Sequence, residues 1–144
     1  MELDEKQSLV APCGIPCGLC ELHLAKDDPK LREYFLARGV PAERIPCPGC
    51  RASGGDCPIH PGPCATWECV QAKGHTFCHE CGDFPCVKLH PAADRAEVLP
   101  HNLKVYNLCT IERRGLDRFL AKAAESKARY YKGKMVIGSG PQLG

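Results

Sequence analysis

Residues 40–64 read VPAERIPCPGCRASGGDCPIHPGPC. Proline cannot continue a helix or donate to a strand ladder, and glycine raises the entropic cost of ordering either. Their density here excludes long regular elements and predicts a run of turns. A chain built this way buries little apolar surface, so something besides a hydrophobic core must order it. Metal coordination supplies folding free energy directly, and Cys47, Cys50, Cys57 and Cys64 all fall in this stretch. The expected fold class is therefore a small, metal-stabilised α+β or irregular one: a cysteine-rich, zinc-knuckle-like core with short helices and a C-terminal helical hairpin.

Upstream, residues 11–20 read APCGIPCGLC and set Cys13, Cys17 and Cys20 in the order C-x3-C-x2-C. Radical S-adenosylmethionine enzymes hold a [4Fe–4S] cluster with that spacing, but at the top of a (β/α) barrel of roughly 200 residues or more. This chain has 144. The triplet is thus expected to join a larger metal core, within one domain spanning 1–144.

Cysteine makes up twelve of the 144 residues, at the edge of the range that marks a cross-linked or metal-bound scaffold. The start, MELDEKQSLVAPCG, alternates charges with isolated apolar residues and does not resemble a secretory signal. No stretch approaches the roughly 20 apolar residues of a membrane span. The expected location is the cytoplasm, without membrane attachment, where thiols stay reduced and clustered cysteines bind metal more often than they form disulfides.

Eleven of the twelve cysteines lie between Cys13 and Cys86, which divides the domain into a cysteine-rich metal-binding part, 10–90, and a helical tail, 94–144, packed on it. In the first part, Asp28 and Pro29 read as the cap and first residue of a helix that runs through PKLREYFLARG to Gly39. Leu31, Tyr34, Phe35 and Arg38 are expected on its packing face. In the tail, residues 100–115 place Leu103, Tyr106, Leu108 and Ile111 on a helical pattern that stops at Gly115, with Asn102 as its cap. Residues 116–131 repeat the pattern with Leu116, Phe119, Leu120, Ala123, Ala124 and Tyr130 or Tyr131, predicting a helical hairpin. The Gly-rich end is expected to fray.

The formal charge of +2 is unevenly divided. Residues 101–134 carry nine Lys or Arg against three acids, and the remainder carries ten against fourteen. A basic tail is a candidate surface for a protein partner or nucleic acid, although a solvated helix face explains it more simply.

The chemistry lies in the cysteine spacings. Cys47-Pro-Gly-Cys50 and Cys78-His-Glu-Cys81 are C-x2-C units whose gap lets two sulfurs reach one ion while backbone N–H groups point at the thiolates. Cys17 and Cys20 share the spacing, and Cys64, Cys69 and Cys86 complete the series. Trp67 is expected to pack over the metal core. His60, His75, His79 and His90 lie in the same region, each expected to be exposed. An open catalytic site would need His79 or His101 beside Glu80 or Asp83, and no H-E-x-x-H motif supports one. A thiol catalyst would use Cys57 or Cys109, but Cys109 is expected to pack in the tail as a small apolar residue.

Together, APCGIPCGLC (11–20), CPGCR (47–51), CATWECVQAKGHTFCHECGDFPCVKL (64–89), LPHNLKVYNL (99–108) and GLDRFLAK (115–122) resemble the cysteine-rich bacterial and archaeal family called domain of unknown function 3795. The resemblance extends over about residues 10–125. It implies metal binding through Cys13, Cys17, Cys20, Cys47, Cys50, Cys64, Cys69, Cys78, Cys81 and Cys86, with Cys57 and Cys109 as additions. Members often end in a further C-x2-C knuckle, where this chain has ARYYKGKMVIGSG.

Ten such thiols suffice for about two closed Zn²⁺ sites. The expected function is a structural zinc-binding module that mediates an interaction. The alternative is a [4Fe–4S] electron-transfer or redox-sensing protein, because clusters want four thiolates each and accept irregular spacings.

Overall fold

The computed structural model describes residues 4–58, 63–93 and 103–144. His60, His101 and Asn102 lie outside the described residues. Helix α1 (Glu5–Ser8) opens with a reciprocal cap: the Gln7 N–H donates to Asp4 at 2.8 Å, and the Gln7 side chain accepts from the Asp4 N–H at 3.3 Å. A tight turn over Cys17–Leu19 leads into α2 (Glu21–Leu24). Helix α3 (Pro29–Ala37) starts as expected, with Asp28 accepting from the N–H groups of Lys30 and Leu31 and Pro29 at the first position. Gly39 follows its end with a φ of +89°, where other residues are strained.

Among the described residues, the Pro- and Gly-rich stretch forms a turn at Ala42–Arg44 and the single-turn helix α4 (Cys50–Ser53). Helix α5 (Ala65–Lys73) was not anticipated. Cys64 Sγ accepts from the Trp67 N–H at 3.5 Å at its start, and Gly74 ends it in the left-handed region. Further turns cover Cys78–Glu80, Val87–Leu89 and Pro91–Ala93. The tail is a helical hairpin of α6 (Lys104–Arg114) and α7 (Leu116–Lys132), parted at Gly115. The end of the chain does not fray as expected. Strands β1 (Lys134–Val136) and β2 (Gly140–Gln142) pair antiparallel, and the Arg129 guanidinium donates to the Pro141 carbonyl at 2.9 Å, tying the hairpin to α7. The protein is thus small, cysteine-rich and helical, with one two-stranded sheet among the described residues.

Two apolar clusters hold these elements. The larger joins Val10, Ala11, Cys13 and Cys17 to Phe77 and Leu89 and to Leu108, Ile111, Phe119 and Ala123 of the tail. The smaller joins Leu22, Ala25, Val40, Ile45 and Cys47, with Leu31 and Phe35 of α3 packed against it. Tyr34 instead faces solvent with the Arg38 guanidinium 3.4 Å from its ring centre.

The tail departs from its expected face. Lys104, Asn107, Leu108 and Ile111 point inward, at the i, i+3, i+4, i+7 spacing of one helical stripe. Tyr106 and Cys109 fall off that stripe and are exposed, so Cys109 is not the packed residue expected. Asn107 donates to the Gly14 carbonyl at 3.0 Å, docking the Cys13 loop on α6. Among the described residues, no helix is long and apolar enough to cross a membrane.

Candidate metal centre

Two C-x2-C units are held against each other. In the first, the Cys20 N–H closes the turn onto the Cys17 carbonyl at 3.0 Å. The second is pinned beside it: the Cys47 N–H donates to the Leu22 carbonyl at 3.0 Å, and the His23 ring lies 2.9 Å by Nδ1 from the Cys47 carbonyl. The Cys50 N–H then points at Cys17 Sγ, 3.5 Å away. Gly49 allows this turn, since its φ is +108°, a backbone conformation that residues with a side chain rarely adopt. Cys17, Cys20, Cys47 and Cys50 thus form one set of thiols drawn from segments about thirty residues apart.

Their electrostatics differ. The Cys17 thiol is brought down to about 7, first by the Cys50 side-chain donor and then by backbone N–H groups and Arg51, against the opposing effect of burial. Cys50 is pushed up by the same contact, so Cys17 ionises first. Burial pushes Cys20 up to about 11 and also raises Cys47. Backbone N–H groups two residues on oppose burial at Cys13, Cys20 and Cys47, and the same relationship favours the Cys81 thiolate. That is the local geometry by which knuckle turns stabilise thiolates.

A second set surrounds a cavity of about 90 Å³. Cys69 reaches it from α5, Cys78 and Cys81 from the two ends of their turn, and Cys86 from the segment before Val87–Leu89. At its wall the Lys73 ammonium donates to Cys81 Sγ at 3.0 Å and to Asp83 at 3.4 Å, while the Asp83 N–H donates to the same sulfur at 3.4 Å. These contacts hold the Cys81 thiol below its ordinary range, with Lys73 the largest influence. Cys78 is pushed up to about 12 by burial and by Cys13, Cys86 and Cys69. Among the described residues, no three Cys, His, Asp or Glu side chains converge closely enough to clasp a single ion.

The model of one family, described as Protein of unknown function (DUF3795), matches residues 9–91. The chain belongs to this family. No curated protein and no solved structure matches it. The DUF3795 match takes in all ten candidate ligands and ends before α6, short of the reach to residue 125 suggested by the tail motifs.

Two of the ten DUF3795 cysteines belong to neither grouping, although Cys13 lies close enough to Cys17, Cys50, Cys64 and Cys78 to interact with them electrostatically. Cys13 is buried between them, pushed up to about 11 by burial and eased by the buried Lys104. Cys64 caps α5 with its sulfur. His75 lines the second cavity and lies 3.9 Å from Glu80, His90 is exposed, and His79 stacks on Phe77 with its buried Nε2 lacking a hydrogen-bond partner among the described residues. His75 and His79 are therefore half-buried, contrary to the expectation of exposure. Glu80 and Asp83, the acids an open catalytic site would call on, have structural partners: Glu80 accepts from the Phe77 N–H at 2.8 Å, and Asp83 pairs with Lys73. Trp67 packs where Gly55 lacks a side chain.

Sequence reasoning passed over Arg51. Its guanidinium donates to the carbonyls of Gln7, Val10 and Thr76 at 3.1, 2.8 and 2.7 Å and lies 5.0 Å from the Phe77 ring centre. It therefore staples three segments around both thiol sets. Its position directly after CPGC was the available signal.

Proposed function

We propose that this DUF3795 protein is a structural metal-binding module whose Cys17, Cys20, Cys47 and Cys50 thiolates hold one Zn²⁺. The observation that carries the reading is the Cys50 N–H directed at Cys17 Sγ, which puts two C-x2-C turns face to face. The donor chemistry fits: zinc favours four thiolates in a closed tetrahedral set, and backbone N–H groups favour the ionised form at Cys17, Cys20 and Cys47, against burial that raises Cys20 and Cys47. Zinc bound there supplies folding free energy and leaves no open position for activating water. The chain's own residues support the site through Arg51, which anchors the second turn, and His23, whose ring meets the Cys47 carbonyl.

The module serves an interaction with a protein or nucleic-acid partner, for which the basic tail is the candidate surface. Part of the tail's positive charge is already engaged: Lys127 with Glu21 at 2.7 Å and Arg129 with Glu125 at 3.7 Å. Phosphate recognition draws on cations without such partners.

Elemental analysis of full-length protein purified without oxygen and without added metal tests the zinc assignment. About one zinc per chain is expected in this set, absent from the Cys47→Ser/Cys50→Ser double variant and retained by Cys57→Ser. A wild-type protein that holds no zinc, and whose unfolding transition ignores both zinc and chelator, would sink the proposal.

A further inference from the structure

We propose that the cavity walled by Cys69, Cys78, Cys81 and Cys86 receives a [4Fe–4S] cluster, so that the protein carries two different metals. The inference rests on the reading of these cysteines as metal ligands and goes further, assigning the second set its own cofactor.

The size of the space separates the two sets. A zinc ion about 2.3 Å from each of four sulfurs draws those sulfurs to about 3.8 Å from one another and leaves no void among them. Four cysteines here line a cavity of about 90 Å³, several times the ~10–15 Å³ needed to admit one water. In the first set, by contrast, the Cys50 N–H lies 3.5 Å from Cys17 Sγ. A cubane of four irons and four sulfides, ligated at its corners, matches four thiols spread around a space.

The lining agrees with that cofactor. Val70, Phe84 and Leu89 give the cavity apolar walls, which suit bridging sulfides that water solvates weakly. Lys73 and Lys88 also line it, and an oxidised cluster with four thiolate ligands is a dianion that two ammonium groups offset. The Lys73 ammonium and the Asp83 N–H both donate to Cys81 Sγ, at 3.0 and 3.4 Å. Hydrogen bonds to a ligand sulfur are a principal means by which a protein tunes a cluster's potential.

The test is anaerobic reconstitution of the full chain with equal amounts of ferrous and ferric iron and with sulfide, which together supply the oxidation level of the cluster, followed by iron, sulfide and zinc analysis. The expected result is about four irons and four sulfides per chain, with absorbance near about 400 nm that bleaches as dithionite delivers one electron per cluster. Zinc remains at the first set. The Cys78→Ser/Cys86→Ser variant should lose iron and sulfide and keep zinc. A cluster in Lys73→Met should change its reduction potential, a readout independent of whether the serine variants fold. Two zincs per chain and no iron uptake would overturn the cluster and leave the metal-binding reading intact. Iron bound equally by the Cys78→Ser/Cys86→Ser variant would also overturn it, and a chain that takes neither metal would overturn both readings.

Discussion

The backbone N–H of Cys50 points at the sulfur of Cys17 from 3.5 Å, across thirty-three residues of chain. One knuckle turn thus supplies the polar environment of the other, and neither is complete alone. Cys17→Ser and Cys50→Ser should each abolish zinc binding at this set and broaden or erase the thermal unfolding transition, since structural zinc in small domains contributes roughly 10 kcal/mol or more. Cys109→Ser, on the exposed side of α6, should leave zinc content and melting temperature unchanged.

Arg51 holds three carbonyls that no other side chain among the described residues is seen to reach. Arg51→Ala should destabilise the protein by about 3 kcal/mol, because charged hydrogen bonds are lost and partly buried carbonyls are stranded. Arg51→Lys should recover less than half of this, as one ammonium cannot span the fork. Urea unfolding curves of the three proteins provide the comparison.

Gly14 and Gly39 share nearly the same backbone angle, +91° and +89°, in different surroundings. A Cβ at Gly14 would meet Leu108 at 3.0 Å and Asn107 at 3.2 Å, whereas one at Gly39 would meet nothing within 4 Å. Gly39→Ala should cost about 1–2 kcal/mol from backbone strain alone. Gly14→Ala should cost about 2–4 kcal/mol, with the additional loss coming from displacement of α6. Equal losses in denaturant titrations would mean that the Cys13 loop does not dock on the tail as described.

Cys81 is the partly exposed thiol whose ionised form is favoured by an ammonium group. In metal-free protein at neutral pH it should be alkylated ahead of the other nine candidate ligands, because the thiolate is the reacting form. Cys17 is also lowered but is buried. Lys73→Met should slow the reaction several-fold, and metal loading should suppress it. Mass spectrometry of peptides after brief iodoacetamide treatment distinguishes these sites.

Tyr131 is 43% exposed, and the partial burial of its ring, with Glu21 adding to the effect, pushes the phenol up to about 12. The unfolded chain ionises this phenol near its ordinary value of about 10, so between about pH 10 and 12 the unfolded state binds fewer protons than the folded one. The stability Tyr131 contributes is complete below that window and is lost as pH rises through it. Tyr131→Phe should flatten the alkaline decline, measured as urea midpoints at pH 8, 10 and 11. A wild-type midpoint that falls no faster than that of the variant would contradict the described burial.

What could be read from the sequence was local. The start of α3 at Asp28 and Pro29, the break between α6 and α7 at Gly115 and the turns around the C-x2-C units each depend on backbone and side-chain chemistry within four residues. Those signals survive in any fold, so they were legible. Helix α5 was missed because its N-terminal cap is a cysteine sulfur rather than a hydroxyl or carboxylate. Only tertiary structure decided the rest: that Cys50 faces Cys17 while Cys69 shares a cavity with Cys78, Cys81 and Cys86, that Lys104 and Asn107 turn inward while Tyr106 turns out, and that Arg129 keeps the last strands from fraying. Ten thiols of one chemical kind can be grouped in many ways that differ little in local energy. The choice among them is made by which segments close on one another, here through Arg51, His23 and Asn107, and such long-range contacts leave no periodic mark on the sequence.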